Sequence, residues 1–262
     1  MFDFFLHIFN WVIKLFQVGS VVTRKSYEND VIFKIYKIEE DTAYLKGINV
    51  RLCADSKIND LVLVDNIDLD DDLVFYEKMR NIRNFERSDF FYIPGKILHI
   101  DGDKEYLNRC LSFYKDANVL AYGVYSEESD MEKNIEKYLK DINPDIVVIT
   151  GHDSKTKENS KYFCGAVKVC RKYQRDYDKL IIIAGACQSD YEKLIKAGAN
   201  FASSPKRINI HALDPAIIAL SLSLSDKNKN VDLLELLEKT SNGKDGIGGV
   251  KTRGVMTTGY PR

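Results

Sequence analysis

The sequence predicts an α/β fold in which a mostly parallel sheet is flanked by helices and preceded by a small all-β N-terminal domain. Two patterns lead to this expectation. From Tyr92 onward, short continuous apolar runs alternate with helical segments, which is typical of a parallel sheet covered on both faces. Before that point, residues 17–65 contain short β-branched runs separated by turn residues, which indicates an antiparallel sheet or barrel.

Composition excludes several classes of protein. The 262 residues are 45% hydrophobic and carry a net charge of -1, which excludes both disorder and a broad field attracting nucleic acid. The five cysteines include no CxxC pair, which argues against a disulfide framework or a four-cysteine zinc site and favours a reducing, cytosolic compartment. The sequence has no P-loop, GxGxxG or HExxH motif, so we expect no cofactor and no metal.

Residues 1–16, MFDFFLHIFNWVIKLF, are unusually apolar. They are shorter than the roughly 20 apolar residues that a membrane-spanning helix needs. On a helix, Asp3, His7, Asn10 and Lys14 form one polar stripe. This pattern predicts a hydrophobic amphipathic helix, and two interpretations stay open: contact with a membrane or a partner, or packing on the protein's own body.

The domain boundaries follow from changes in pattern along the chain. Residues 66–91 are charge-dense, with acidic residues before basic ones, and are predicted to be a charged linker or helix. They separate the small β domain, residues 17–65, from an α/β domain over residues 92–262. The predicted strands of the α/β domain are 95–101, 118–125, 144–153, 180–189 and 199–204, and the predicted helices are 104–115, 126–142, 161–173 and 189–197.

Two of these strands end in side chains capable of catalysis. One apolar run leads into Gly151-His152-Asp153, and the next leads into Gly185-Ala186-Cys187. If the two strands are neighbours, His152 and Cys187 lie together at the edge where such sheets bind ligands, and an imidazole makes a thiol a fast nucleophile. Backbone N–H groups at Gly151 and Cys187 would then hold an oxyanion. The pattern leaves open that both side chains are structural.

Longer segments resemble a known family. The hydrophobic blocks that end in GHD and GACQS resemble the strand endings of caspase-like cysteine proteases. IPGKILHIDGDKEYL, NPDIVVITGHD, IIIAGACQSDYEKLIKAGANFASSPKRINIHALDP and GIGGVKTRGV are similar to the sporulation-specific YabG protease family of endospore-forming bacteria, as are VGSVVTRKSYENDVIFKI and VRLCADSKINDLV. The resemblance covers about residues 17–261, and residues 1–16 depart from it.

The resemblance implies a caspase-like cysteine endopeptidase, with His152 as general base and Cys187 as nucleophile. It implies cleavage after Arg and trimming of spore coat and other spore proteins during sporulation. The expected partners are spore coat proteins, and the expected location is the mother-cell cytoplasm, at the forming coat. A preference for Arg also leads us to expect self-cleavage, at Arg24-Lys25 or Arg253-Gly254.

A substrate Arg entering a partly desolvated pocket needs a carboxylate partner. Asp190, Asp153 and Asp214 are candidates because each lies beside one of the motifs, although an acidic residue in such a position is also often a helix cap or a surface residue. We favour Asp190, which follows the nucleophile by three residues at the predicted start of a helix.

Two other functions stay open on the sequence. One is a non-catalytic coat-assembly protein whose α/β domain is a binding scaffold. The other is a class I amidotransferase-like hydrolase that uses Cys187 with His211. In the protease, the small β domain, residues 17–65, is predicted to be a docking module for substrate or coat protein, and its SH3-like character is an analogy only.

Overall fold

The computed structural model describes residues 16–64, 91–154 and 156–259. These residues form two compact units, one before and one after the 65–90 segment. The predictions for residues 1–15 and for the charged linker lie outside the described residues. Within the part of the chain that is described, no helix is long and apolar enough to cross a membrane.

The N-terminal unit is a five-stranded antiparallel sheet, which confirms the antiparallel sheet predicted in this part of the chain, while the domain bounds 17–65 stay a prediction. Its core consists of inward-facing residues such as Val22, Phe33, Ile35 and Leu45, each almost completely buried. The SH3-like character stays a prediction. In sheet order the strands are β4 (Cys53–Lys57), β3 (Thr42–Gly47), β2 (Phe33–Glu39), β1 (Val21–Arg24) and β5 (Leu61–Leu63).

The second unit is built on a six-stranded sheet in which five strands are parallel and one edge strand is antiparallel. This confirms a mostly parallel sheet flanked by helices, while the caspase-like topology stays a prediction. In sheet order the strands are β12 (Ile247–Gly249), β11 (Phe201–Ser203), β10 (Ile181–Ala184), β9 (Ile146–Thr150), β7 (Ile97–Asp101) and β8 (Ala121–Tyr125). A separate two-stranded pair joins β6 (Phe91–Ile93) to β13 (Thr257–Gly259).

Helices cover both faces of this sheet. In chain order they are α1 (Lys104–Asp116), α2 (Glu128–Ile142), α3 (Ser160–Tyr173), α4 (Tyr191–Ala197), α5 (Asp214–Ser223), α6 (Leu233–Glu238) and α7 (Gly243–Gly246). Ile146 and Val148 face a core shared with α1 and α5, whereas Val147 and Ile149 face a core shared with α2, α3 and α4. Because both faces of β9 are buried, the strand reads as a continuous apolar run rather than an alternating one.

The structure adds elements that the sequence analysis did not predict. Helix α5 is buried along its whole length, and β12 adds an antiparallel edge to the sheet. The helix predicted over 189–197 begins two residues later, at Tyr191, because Asp190 is its N-cap. The predicted short strand at 199–204 is confirmed over Phe201–Ser203.

Candidate active site

The strands that carry the predicted dyad are neighbours. Strands β9 and β10 pair in parallel, and the last pair in their register is Ile149 with Ala184. His152 and Cys187 each lie three residues beyond this pair. The condition for the predicted dyad is therefore met, since the two residues occupy corresponding positions at the carboxyl edge of adjacent strands.

Cys187 is fully buried against the segment that precedes α5. Its Sγ donates to the carbonyl oxygen of Ile210 at 3.5 Å and accepts from the Ile210 amide at 3.2 Å. Both backbone polar groups of Ile210 thus hold the sulfur in place. The adjacent Gln188 has a φ of 64° and donates its amide to Ser204 Oγ at 3.1 Å. This hydrogen bond also joins the loop after β10 to the segment between β11 and α5.

His152 is held by three elements and is also buried. Its amide donates to Glu128 Oε1 at 3.0 Å, and its carbonyl oxygen accepts from Asn159 Nδ2 at 2.7 Å. Its imidazole stacks on the ring of Tyr106, with centroids 5.2 Å apart and an interplanar angle of 25°. Its Nδ1 lies 3.9 Å from Oδ2 of Asp103. The ring is thus positioned by α1, α2 and the start of α3.

Asp153 joins the loops that carry the dyad. Its Oδ2 accepts from Ser160 Oγ at 2.5 Å and from Ser189 Oγ at 3.0 Å. Its Oδ1 accepts from the amides of Ser154 at 2.9 Å and Asn159 at 3.2 Å. Because Ser189 follows Cys187 by two residues, this buried carboxylate links the loop after β9 to the loop after β10.

Asp190 caps α4 and contacts two lysines. Its Oδ2 lies 3.0 Å from Lys193 Nζ and 3.3 Å from Lys157 Nζ, and its Oδ1 accepts from the Lys193 amide. Burial raises the pKa of Asp190, but hydrogen bonds from Lys193 and Lys157 outweigh that effect and leave the pKa below its ordinary value. The carboxylate is therefore charged at neutral pH and already has cationic partners.

Asp214 lies inside the protein at the start of α5. It accepts from the amide of His211 at 2.9 Å, and from the amide and hydroxyl of Ser241 at 2.9 and 3.0 Å. Burial raises the pKa of Asp214. His211, the alternative base, accepts on Nδ1 from the amide of Leu213 at 3.2 Å.

A buried polar network beneath the site was not predicted. His99 Nδ1 lies 3.0 Å from the hydroxyl of Tyr114, and its Nε2 lies 2.9 Å from Thr150 Oγ1. Thr150 donates to Asp101 Oδ2 at 2.9 Å, and Asp101 Oδ1 accepts from the amide of Asp103 at 2.9 Å. The available signal was the polar His and Asp in the otherwise apolar strand KILHID. Among the residues placed by the structure, no cluster of three or more His, Cys, Asp or Glu side chains is arranged to hold a metal.

The fold and the site together define a parallel α/β protein that presents a thiol and an imidazole at the carboxyl edge of two adjacent central strands. Residues 17–261 match the family described as YabG peptidase U57. The chain belongs to this family, which confirms the resemblance and makes it a peptidase, an enzyme that acts on protein substrates.

Two individual proteins are similar to the chain to very different degrees. The sporulation-specific protease YabG of Bacillus subtilis (strain 168) is 40% identical over 287 residues, which cover 94% of this chain and 98% of that protein. The crystal structure of ureidoglycine-glyoxylate aminotransferase from Bacillus subtilis matches 49% of this chain and 37% of that one, at 15% identity and a TM-score of 0.24. The second likeness is too weak to bear on fold or function.

Proposed function

We propose that this chain is a cysteine endopeptidase of sporulation, with Cys187 as nucleophile and His152 as general base. The observation that carries the proposal is the register of β9 and β10, which gives the two residues corresponding positions on neighbouring strands. The relative that is 40% identical bears the name of a sporulation-specific protease, which supports the role in sporulation. The proposed substrates are spore coat proteins, and the proposed location is the mother-cell cytoplasm at the forming coat.

The proposed reaction is acyl transfer in two steps. His152 takes the proton of the Cys187 thiol, and the thiolate attacks the carbonyl carbon of the scissile peptide bond. The C–N bond breaks as the imidazolium gives its proton to the leaving amine, and a thioester is left on Cys187. His152 then takes a proton from water, the resulting hydroxide attacks the thioester, and the thiol and the new carboxyl terminus are released.

The oxyanion of each tetrahedral intermediate needs backbone donors close to the sulfur. The proposal assigns this role to the amides of Gly151 and Cys187. The amides on either side of Cys187 donate to the hydroxyl oxygens of Ser189 and Ser204. Those two amides, of Ala186 and Gln188, would have to give up these hydrogen bonds before they could bind an oxyanion.

Access to the nucleophile involves the segment that carries Ile210. Both backbone polar groups of Ile210 contact the sulfur of Cys187, and the thiol is closed to solvent. A substrate carbonyl therefore reaches the sulfur only after this segment shifts. The enzyme is proposed to bind substrate with the segment displaced.

For cleavage after Arg, Asp190 is the best placed of the three candidate acids. Asp153 and Asp214 are 1% and 0% exposed and hold several protein donors each, whereas Asp190 is 8% exposed. The Oδ2 of Asp190 instead contacts the ammonium of Lys193, whose side chain is 74% exposed and can leave at little cost. A planar guanidinium forms a bidentate pair with a carboxylate, so a substrate Arg can replace that lysine.

Self-cleavage after Arg is proposed at Arg253-Gly254. Arg24 is buried, with its guanidinium 3.9 Å from the ring centroid of Tyr27, whereas the side chain of Arg253 is 55% exposed. Intact-mass measurement on the purified wild-type protein is expected to show a product that ends at Arg253. The same measurement on Cys187→Ala is expected to show no such product. A product of that mass in both proteins would exclude self-cleavage.

A second candidate is the amidotransferase-like hydrolase that uses Cys187 and His211. One observation favours it, since the sulfur contacts Ile210, the residue directly before His211. The backbone contact shows only that His211 follows a residue lying against the sulfur. His152, in contrast, occupies a strand end in register with the nucleophile, and we prefer it for that reason.

Single substitutions distinguish the two candidate enzymes. With a spore-coat extract and Arg-containing peptides as substrates, Cys187→Ala is expected to abolish cleavage. His152→Ala is expected to lower the rate by about 10²–10⁴-fold, the range for loss of a general base, and His211→Ala by much less. Cys164→Ala is the matched control, because burial raises the pKa of the Cys164 thiol and makes it a poor nucleophile.

Two results would contradict the proposed Cys187–His152 mechanism. A larger loss in His211→Ala than in His152→Ala would favour the amidotransferase-like enzyme. Near wild-type cleavage by Cys187→Ala would show that the cysteine mechanism is wrong.

A further inference from the structure

We propose that Asp103 is a positioning residue that acts through His152, orienting the imidazole and stabilising its protonated form. This inference rests on the proposed function of the Cys187–His152 pair. Strands β7 and β9 pair in parallel, with Asp101 opposite Thr150. Asp103 and His152 each lie two residues beyond this pair, so the carboxylate reaches the imidazole from the strand on the side away from Cys187.

The two oxygens of Asp103 have different contacts. Oδ1 caps α1 by accepting from the amides of Glu105 at 2.8 Å and Tyr106 at 3.1 Å. Oδ2 lies 3.9 Å from Nδ1 of His152, and the two side chains are 16% and 3% exposed. The helix cap therefore fixes the carboxylate group while its second oxygen faces the imidazole.

Further contacts hold this arrangement. Tyr106, in the first turn of α1, stacks on the imidazole that Asp103 faces. The amide of Asp103 donates to the buried carboxylate of Asp101, which also accepts from Thr150 Oγ1. Thr150 is the last residue of β9, and His152 follows it by two residues. The Asp103 amide and the end of the strand that leads to His152 are thus joined by one hydrogen-bond network.

The other titratable groups around His152 come from several elements. Tyr106 lies on α1, and Glu128, on α2, accepts from the His152 amide through Oε1. Asp153 follows in the same loop and binds two hydroxyls and two amides. Cys187 ends the neighbouring strand. Of these acids, Asp103 is the one whose carboxylate lies 3.9 Å from a ring nitrogen.

A carboxylate at this distance favours the charged form of the ring. In the proposed reaction the imidazole becomes an imidazolium when it takes the thiol proton. The effect of Asp103 is therefore largest after substrate has bound. Its removal is expected to lower kcat and to leave KM largely unchanged.

The test variant is Asp103→Asn, because an Asn oxygen still caps the helix while the charge is lost. The matched control is Asp232→Asn. Asp232 caps α6 through the amides of Leu234 at 2.9 Å and Glu235 at 3.1 Å, the same geometry without an imidazole. Asp103→Asn is expected to lower kcat by about 10- to 100-fold, and by the same factor for peptides with Arg and with an uncharged residue before the scissile bond.

Protonation of the ring supplies a readout that needs no activity. The chain has four histidines, so the His152 signal in an NMR titration can be assigned with His152→Gln. In the Cys187→Ala background, Asp103→Asn is expected to move the midpoint of the His152 titration to lower pH by about one unit. The limb of the kcat profile that reports His152 should move in the same direction. Asp103→Ser, which also keeps a capping oxygen, serves as a second variant if the first folds poorly.

Several results would overturn the proposal. An unchanged His152 midpoint, or a loss of kcat no larger than in Asp232→Asn, would reduce Asp103 to a helix cap. A loss confined to Arg peptides, or seen in KM, would place Asp103 in the substrate pocket. If Cys187→Ala or His152→Ala retains full activity, the proposed function fails, and the NMR midpoint still decides whether Asp103 acts on the ring.

Discussion

Replacing Asp153 with Ala is expected to loosen both loops that carry the dyad. The substitution removes the acceptor of four hydrogen bonds: two from serine hydroxyls and two from backbone amides. Asp153 is 1% exposed, and Ser160 and Ser189 are buried as well. In Asp153→Ala these two hydroxyls lose their acceptor in a place that bulk water does not reach.

The expected size of the effect follows from these contacts. Each buried hydroxyl left without its partner costs about 1–3 kcal/mol. The two amides belong to half-buried residues, Ser154 in the loop after β9 and Asn159 at the N-cap of α3, and are expected to regain water more readily. For the two hydroxyls together, the loss in the free energy of unfolding is therefore expected to be about 2–6 kcal/mol. Asp232→Ala, which removes an exposed helix cap, should cost only about 1 kcal/mol.

Urea unfolding of the full chain, followed by far-UV circular dichroism, measures the stability difference. Peptide assays then separate a structural role from a pocket role, since Asp153 was also a candidate acid for a substrate Arg. Asp153→Ala is expected to lower kcat/KM equally for Arg peptides and for uncharged ones. A destabilisation no larger than that of Asp232→Ala, or a loss restricted to Arg peptides, would refute the assignment of Asp153 as the link between the two loops.

Two further predictions concern the loop after β10. Asp190→Asn is expected to lower kcat/KM for Arg peptides far more than for uncharged ones, because the exchange removes the carboxylate proposed to pair with the substrate; an equal loss on both would leave Asp190 as a helix cap. Gly185→Ala is expected to destabilise the protein by more than the roughly 1–2 kcal/mol of a left-handed non-glycine residue, since Gly185 has a φ of +107° and an added Cβ would lie 2.9 Å from Leu194 Cδ1. The control is Gly243→Ala, at a φ of +54° with its nearest atom 4.0 Å away, and equal losses in urea unfolding would contradict the argument.

The central sheet could be predicted because strands that are buried on both faces have a recognisable sequence pattern, a short continuous apolar run. Runs such as IVVIT and LIIIA are too short for most helices and have no polar alternation, so they indicate parallel strands. The helices between them have one apolar face each, and their bounds agree with the predictions to within a few residues. The polar residues at the strand ends gave the candidate dyad.

The elements that the sequence analysis did not predict lack such a pattern. Helix α5, which reads AIIALSLS after Asp214-Pro215, is buried on all sides, so it has no amphipathic period to detect. Strand β12 is IGG, whose glycines carry no strand preference. Its pairing with β11 requires a glycine at position 249, because a side chain there would collide with Phe201, and only the tertiary structure reveals this constraint.

The order of strands also explains why part of the candidate site could not be predicted. Local sequence indicates where strands end but not which strands are adjacent. The sheet places β9 between β10 and β7, so the imidazole of His152 has the strand of Cys187 on one side and the strand that leads to Asp103 on the other. From sequence alone Asp103 is an ordinary helix cap, since Asp often begins a helix. The middle position of β9 is what supports the further role proposed for it, because a group at the end of this strand has the strand of the thiol on one side and the strand of the carboxylate on the other. In the proposed role, a cap at this position stabilises the charged form of the ring, and the comparison of Asp103→Asn with Asp232→Asn tests that role directly.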